Sequence, residues 1–107
     1  MGVARIMGLD ITLHRKGTSY GGDFWVNGRM RFGCVRDLMV DKYNYQYGKD
    51  LLITKEIMID LLNITHANII TSDGFDLSVY MDFYSDLLYV YHKMINNNEN
   101  WYFEATW

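Results

Sequence analysis

Both ends of the chain show the two-residue alternation of apolar and polar side chains that is typical of β-strands. Near the start, Leu9, Ile11 and Leu13 alternate with polar residues, and residues 101–107 alternate in the same way. Successive side chains of a strand point to opposite faces of its sheet, so each segment has one apolar face. The pattern predicts two strands of one small sheet, whose covered face carries Leu9, Ile11, Leu13, Trp101, Phe103 and Ala105.

A third strand signal lies between residues 24 and 32, where the dipeptide Asn27-Gly28 interrupts an apolar run. Both central positions of a type I′ turn need a positive φ angle, which Asn and Gly tolerate best. The segment therefore predicts a central β-hairpin.

Three helices are predicted from apolar residues that recur every three or four positions. The first spans about Val35 to Tyr43, and the second spans Thr54 to Asn63 with Thr54 as its N-cap. The third runs from Asp76 to Ile95 and ends at an asparagine-rich stretch. We predict an α+β fold in which a small antiparallel sheet is packed on one side by two or three helices. Residues 1–107 form a single compact domain in this prediction, with residues 1–6 as a candidate extension because Met7 is a plausible start.

The long helix has an apolar arc that is wider than one sheet face normally covers. One stripe is assigned to the core and comprises Leu77, Tyr80, Met81, Tyr84, Leu87, Leu88, Tyr91 and Ile95. A second stripe contains Val79, Phe83 and Val90. Either the helix of residues 54–63 packs on this second stripe, which we favour, or the stripe forms a homodimer interface.

Composition excludes several classes of protein. The chain has 107 residues, one cysteine and a formal net charge of −3. A single cysteine cannot form an internal disulfide, so we expect a reducing setting, namely the cytoplasm of a cell. No apolar run approaches the roughly 20 residues that cross a bilayer, so no membrane span is expected. The negative charge argues against direct nucleic-acid binding, which depends on basic patches.

Motifs that would indicate an enzyme are not found in the sequence. It contains no glycine-rich phosphate loop and no nucleophile elbow. His14, His66 and His92 lie in three separate segments without the spacing of metal ligands. We therefore predict no catalytic residue, no metal and no cofactor, although the enzyme question stays open.

One polar grouping keeps an enzyme or ligand-binding alternative in play. Alternation places Asp10 and His14 on one face of the first strand, and Glu104 on the same face if the last strand is its neighbour. A carboxylate beside a histidine can act as a general base. A solvated sheet face is the simpler interpretation, and we favour it.

The segment Met7-Gly8-Leu9-Asp10 resembles the start of a family of small phage-encoded proteins of uncharacterised function. The stretch Asp73-Gly74-Phe75-Asp76, the tyrosine- and leucine-rich helix after it and the aromatic C-terminal segment are similar to that family's C-terminal pattern. Trp25 is followed here by Val26-Asn27-Gly28, where the family tends to have Arg-Lys-Ala-Asn. The resemblance implies a phage or prophage origin and supplies no reaction.

These observations favour a phage accessory protein that binds a macromolecule in the host cytoplasm. Its partner would be a host protein, for example a defence complex with a nuclease effector, which it would inhibit. Tyrosine is enriched at such interfaces, and acidic side chains complement basic surfaces. The candidate contact residues are Asp82, Asp86 and Tyr89 on the long helix, and Tyr43, Tyr45 and Tyr47 in the central loop.

Overall fold

The computed structural model describes residues 9–15, 23–27 and 32–107. The strands in this part of the chain are β1 (Asp10–Arg15), β2 (Phe24–Asn27), β3 (Leu51–Leu52) and β4 (Trp101–Thr106). The helices are α1 (Gly33–Tyr43), α2 (Lys55–Thr71) and α3 (Gly74–Asn97). The predicted α+β class is confirmed.

The chain divides into two compact units. The first, called the sheet unit, comprises residues 1–52 together with residues 102–107, and the second, called the helical unit, comprises residues 53–101. The four strands form one sheet in the order β2-β1-β4-β3, so the C-terminal strand is an inner strand. Pairing of β1 with β2 and of β3 with β4 is antiparallel, with Ile11 opposite Val26 and Leu51 opposite Phe103.

The core of the sheet unit follows the predicted alternation. Leu9, Ile11 and Leu13 are buried, as are Phe103 and Ala105 on β4. Trp101, the first residue of β4, is buried as well. The prediction of one buried face on each terminal strand is confirmed.

Helix α1 adds its own buried side chains, Val35 and Met39. The helix ends at Asn44, which takes a left-handed conformation with φ 55° and donates its backbone N–H to the Met39 carbonyl. Asparagine tolerates this conformation better than most side chains. The cap turns the chain into the loop of residues 45–50.

The helical unit is a pair of packed helices. Thr54 caps α2 as predicted, since its hydroxyl oxygen accepts a hydrogen bond of 3.2 Å from the Ile57 N–H. Helix α2 continues eight residues beyond the predicted end at Asn63. The buried Thr65 is compatible with a helix interior because its hydroxyl donates to the Leu61 carbonyl at 2.7 Å.

Helix α3 begins after a short connection and packs against α2. Gly74, its first residue, has a φ of 58°, a conformation that favours glycine. The rings of His66 and Tyr84 lie 6.0 Å apart across the helix pair. The prediction that α2 covers part of α3 is confirmed. Within the described parts of the chain, no helix has the length and apolar character needed to cross a membrane.

The predicted core stripe of α3 is partly wrong. The buried residues of this helix are Tyr80, Phe83, Leu87 and Val90. Three members of the predicted stripe, Met81, Leu88 and Ile95, are exposed. The apolar arc is wider than the buried face, and the buried face is centred between the two predicted stripes.

The residues of the predicted dimer interface lie mostly on the buried face of α3. Phe83 and Val90 are only 1% and 0% exposed within the single chain, and Val79 is half-buried. Side chains already buried in the fold have no surface to offer a second copy. The structure therefore gives no support to a homodimer through Val79, Phe83 and Val90.

Other predictions fall partly outside the described residues. A strand, β2, lies where the first arm of the central hairpin was predicted, and the hairpin itself stays a prediction because residues 28–31, including Gly28 of the predicted turn, are not described. Phe32 is not a strand residue and instead directly precedes α1 as its N-cap. The candidate extension of residues 1–6 also lies outside the described residues.

Two adjacent leucines give a matched test of the α3 assignment. Leu87 is fully buried, whereas Leu88 is 46% exposed. We expect Leu87→Ala to lower the free energy of unfolding by about 2 to 5 kcal/mol, as large-to-small core substitutions do. Leu88→Ala should lower it by less than about 1 kcal/mol. Urea denaturation of both variants measures the difference, and equal losses would show that the buried face is assigned wrongly.

Candidate functional site

In the sheet unit, one histidine and two carboxylates from three different segments lie close together beside β4. His14 lies on β1, Glu104 lies on β4, and Asp50 directly precedes β3. The His14 Nε2 atom is 3.0 Å from an Asp50 carboxylate oxygen and 3.8 Å from a Glu104 carboxylate oxygen. We call these three residues the His14 cluster. Its ligand-type atoms all lie within 4.8 Å of one another, so the three side chains could hold a metal ion.

Both nitrogens of the His14 ring face hydrogen-bond acceptors. Nδ1 is 3.1 Å from the Arg15 carbonyl oxygen, and Nε2 faces the Asp50 carboxylate. A carbonyl and an ionised carboxylate can only accept, and a neutral imidazole has one N–H. A neutral ring can therefore donate to only one of these two acceptors.

The ring of His14 is held in a protein-lined position. Its side chain is only 10% exposed. The Tyr102 ring stacks on it, with ring centres 6.0 Å apart. The two carboxylates are more open, since the side chains of Asp50 and Glu104 are 49% and 37% exposed. The cluster thus combines a fixed imidazole with carboxylates that solvent reaches.

The next residue along β1 forms a separate ion pair. The Arg15 guanidinium donates to the Asp23 carboxylate at 3.2 Å, and the Arg15 backbone N–H donates to the same carboxylate. The hydrogen bond from the Arg15 side chain lowers the pKa of Asp23 below its ordinary value. This pair ties the end of β1 to the start of β2.

The loop that carries Asp50 is fixed to β4 by the buried Tyr45 hydroxyl. This hydroxyl accepts a hydrogen bond of 2.7 Å from the Ala105 N–H and donates one of 2.6 Å to the Lys49 carbonyl. The Gly48 N–H donates to the Ala105 carbonyl at 2.9 Å. Burial raises the pKa of Tyr45 from 10.0 to about 12, so the hydroxyl remains a hydrogen-bond donor at alkaline pH as well.

Sequence reasoning found two of the three members of the His14 cluster. His14 and Glu104 lie together as the alternative polar face predicts, and Asp50 was missed. Asp10 is placed elsewhere: it is paired in register with Asn27, and its buried Oδ1 has no hydrogen-bond partner among the described residues. The only sequence signal for Asp50 is its position directly before the apolar run Leu51-Leu52-Ile53. The first two residues of this run form β3, and the pairing of β3 with β4 is a long-range contact that no local pattern reveals.

The three tyrosines predicted as partner contacts have different environments. Tyr47 is exposed and packs edge-on against Trp107, with ring centres 5.0 Å apart. Tyr43 is half-buried. Tyr45 is buried, so its prediction as a contact residue is wrong, because its hydroxyl and ring are used inside the fold.

The acidic helix strip, defined as Asp82, Asp86 and Tyr89, lies on α3 within the helical unit. Asp82 and Tyr89 are exposed, and Asp86 is half-buried. Burial raises the pKa of Asp86 above its ordinary value, and the charge of Asp82 raises it further. Tyr89 is held between two neighbours: the Lys93 ammonium lies 5.4 Å from its ring centre, and the Trp101 ring packs edge-on at 6.5 Å.

Comparisons with known proteins identify no relative: no family model, no curated protein and no solved structure matches the chain significantly. The geometry of the two candidate surfaces therefore carries the functional argument.

The raised pKa of Asp86 predicts a specific pH dependence. The folded state holds the Asp86 proton more tightly than the unfolded chain, so this group makes stability fall as the pH rises above the ordinary value of 3.8. Asp82→Asn removes the like charge one turn away and should lower the pKa of Asp86. It should also raise the free energy of unfolding at neutral pH by a few tenths of a kcal/mol.

A carboxyl-detected NMR titration measures the Asp86 pKa directly. Asp73→Asn is the control, because it removes an equal charge from the exposed N-cap of α3, roughly 20 Å along the helix from Asp86. The Asp86 pKa should be almost unchanged in the control. An Asp86 pKa that responds equally to both substitutions would contradict the local repulsion.

Proposed function

We propose that this chain is a small phage or prophage accessory protein that acts by binding a host macromolecule through the exposed face of α3. The observation that carries the proposal is the composition of that face. Three large apolar side chains, Met81, Leu88 and Ile95, are exposed at seven-residue spacing. The acidic helix strip lies beside them on the same helix. An apolar row flanked by charge is typical of a protein-binding surface.

Tyr89 supports this role because its ring is fixed before any partner arrives. It is 48% exposed, and Lys93 and Trp101 both pack against it. An interface tyrosine that is already ordered loses less side-chain entropy on binding. Tyrosine is also among the residues that contribute most to binding energy.

The acidic pair indicates the kind of partner. Keeping Asp82 and Asp86 one turn apart costs stability, and a basic surface on a partner would relieve that repulsion. We propose a host defence protein with a basic groove, such as a nuclease effector, as the partner. The step from basic groove to nuclease rests on analogy with other viral inhibitors. The phage origin rests on the resemblance of Met7-Gly8-Leu9-Asp10, and the site of action would be the host cytoplasm.

A second candidate function uses the His14 cluster. The Asp50 carboxylate lies 3.0 Å from the His14 ring, and a carboxylate beside an imidazole is a pair that acid–base catalysis uses. In this alternative the protein is an enzyme or a small-ligand sensor, and α3 plays no direct part.

Charge reversal separates the two functions. The double variant Asp82→Lys/Asp86→Lys should weaken capture of the partner from host lysate by about tenfold and make its salt dependence shallower. The matched control is Asp37→Lys/Asp41→Lys, which reverses an exposed pair at the same spacing on α1. Quantitative mass spectrometry of the captured proteins measures the effect, and the control should capture the partner normally.

His14→Ala completes the comparison. It should leave capture intact if α3 is the functional surface. Capture that survives the α3 charge reversal, together with a biological activity that is lost on His14→Ala, would reject the binding model in favour of the enzyme or sensor.

A further inference from the structure

We propose that His14, Asp50 and Glu104 form a binding site for a single first-row divalent metal ion, for which Zn²⁺ is the best match. The inference is independent of the proposed function, since all three residues belong to the sheet unit. The sequence alone predicts no such site, because its histidines have no ligand spacing and Asp50 is distant in sequence from both partners.

The distances suit a metal centre after small side-chain movements. Zinc bound at about 2.0 to 2.2 Å in a tetrahedron separates its ligand atoms by roughly 3.3 to 3.6 Å. In the cluster, Nε2 of His14 is 3.0 Å and 3.8 Å from the two carboxylates, on either side of that range. Asp50 and Glu104 are partly exposed, so their side chains can adjust without disturbing the core.

The orientation of His14 is that of a metal ligand. In the tautomer that carries its proton on Nδ1, this nitrogen donates to the Arg15 carbonyl, and the Nε2 lone pair points at the two carboxylates. Histidines that bind metals almost always donate the other ring N–H to a carbonyl or carboxylate in this way. In this orientation the Nε2 lone pair of a neutral ring repels a carboxylate oxygen. A cation bound between the two atoms removes that repulsion.

Charge balance favours a dication over a ring proton. Asp50 and Glu104 contribute two negative charges, and an imidazolium neutralises only one of them. A divalent ion with neutral imidazole neutralises both, and it replaces a hydrogen bond and a longer ion pair with three metal bonds.

The donor set selects the class of metal. One imidazole nitrogen and two carboxylate oxygens suit zinc and its first-row neighbours, whereas magnesium and calcium prefer oxygen alone. Among the first-row ions, zinc binds such donors more tightly than manganese does. We therefore use Zn²⁺ as the probe and Mg²⁺ as the comparison ion.

The test is a titration of tag-free protein with Zn²⁺, followed by calorimetry and by NMR of the histidine ring nitrogens. We expect one ion per chain and a large shift of the His14 Nε2 signal. Asp50→Asn and Glu104→Gln should each weaken zinc affinity by about tenfold or more, since each exchanges a charged ligand for a neutral one of the same shape. Mg²⁺ should leave the ring signals unchanged.

The other two histidines provide the control. The double variant His66→Ala/His92→Ala removes the remaining imidazoles from the chain and should bind zinc with unchanged affinity. Backbone amide spectra establish that each variant is folded. Asp50→Asn and Glu104→Gln keep the shape of the side chain, so they test the site even if His14→Ala fails to fold. Zinc that shifts only His66 or His92, or an affinity that is insensitive to Asp50→Asn and Glu104→Gln, would overturn the proposal.

Discussion

The sheet unit depends most on one buried hydroxyl, that of Tyr45. Strand β3 has only two residues, so its ladder with β4 ends at Leu51 and Phe103. Beyond that point the loop replaces the missing strand: Tyr45 accepts the Ala105 N–H, and Gly48 donates to the Ala105 carbonyl. A buried backbone N–H without a partner costs about 1 to 3 kcal/mol. The hydroxyl therefore supplies the hydrogen-bond acceptor that the Ala105 N–H of an inner strand needs. It also fixes the path of the loop.

The position of Asp50 follows from that fixed path. The same hydroxyl donates to Lys49, the residue immediately before Asp50, and the Tyr45 ring packs edge-on against Phe103 at 5.2 Å. The loop therefore directs Asp50 toward His14. Glu104 lies on β4, the strand to which the loop is hydrogen-bonded. In the helical unit a different constraint applies: the buried face of α3 is occupied by Tyr80, Phe83, Leu87 and Val90, so Met81, Leu88 and Ile95 are exposed.

Local patterns predicted the elements of this fold better than their contacts. Alternation identified β1 and β4, and the Thr54 cap identified the start of α2, because both signals depend on neighbours in the sequence. The buried face of α3 was misjudged because helical periodicity gives the width of an apolar arc without saying which part of it is covered. Asp50 and the buried state of Tyr45 were missed because both follow from pairing with β4, more than fifty residues away in the chain.

The dependence of the His14 cluster on Tyr45 is tested most directly by the structure of the Tyr45→Phe variant. This change deletes one oxygen and keeps the ring, so the loop should lose the hydrogen bonds of the hydroxyl to Ala105 and Lys49, while β1 and β2 remain paired. The account predicts that Asp50 moves out of hydrogen-bond distance of His14, from the 3.0 Å seen in the unmodified chain. Tyr47→Phe, at an exposed ring, should leave that distance unchanged. An Asp50 that still contacts His14 in Tyr45→Phe would contradict the account.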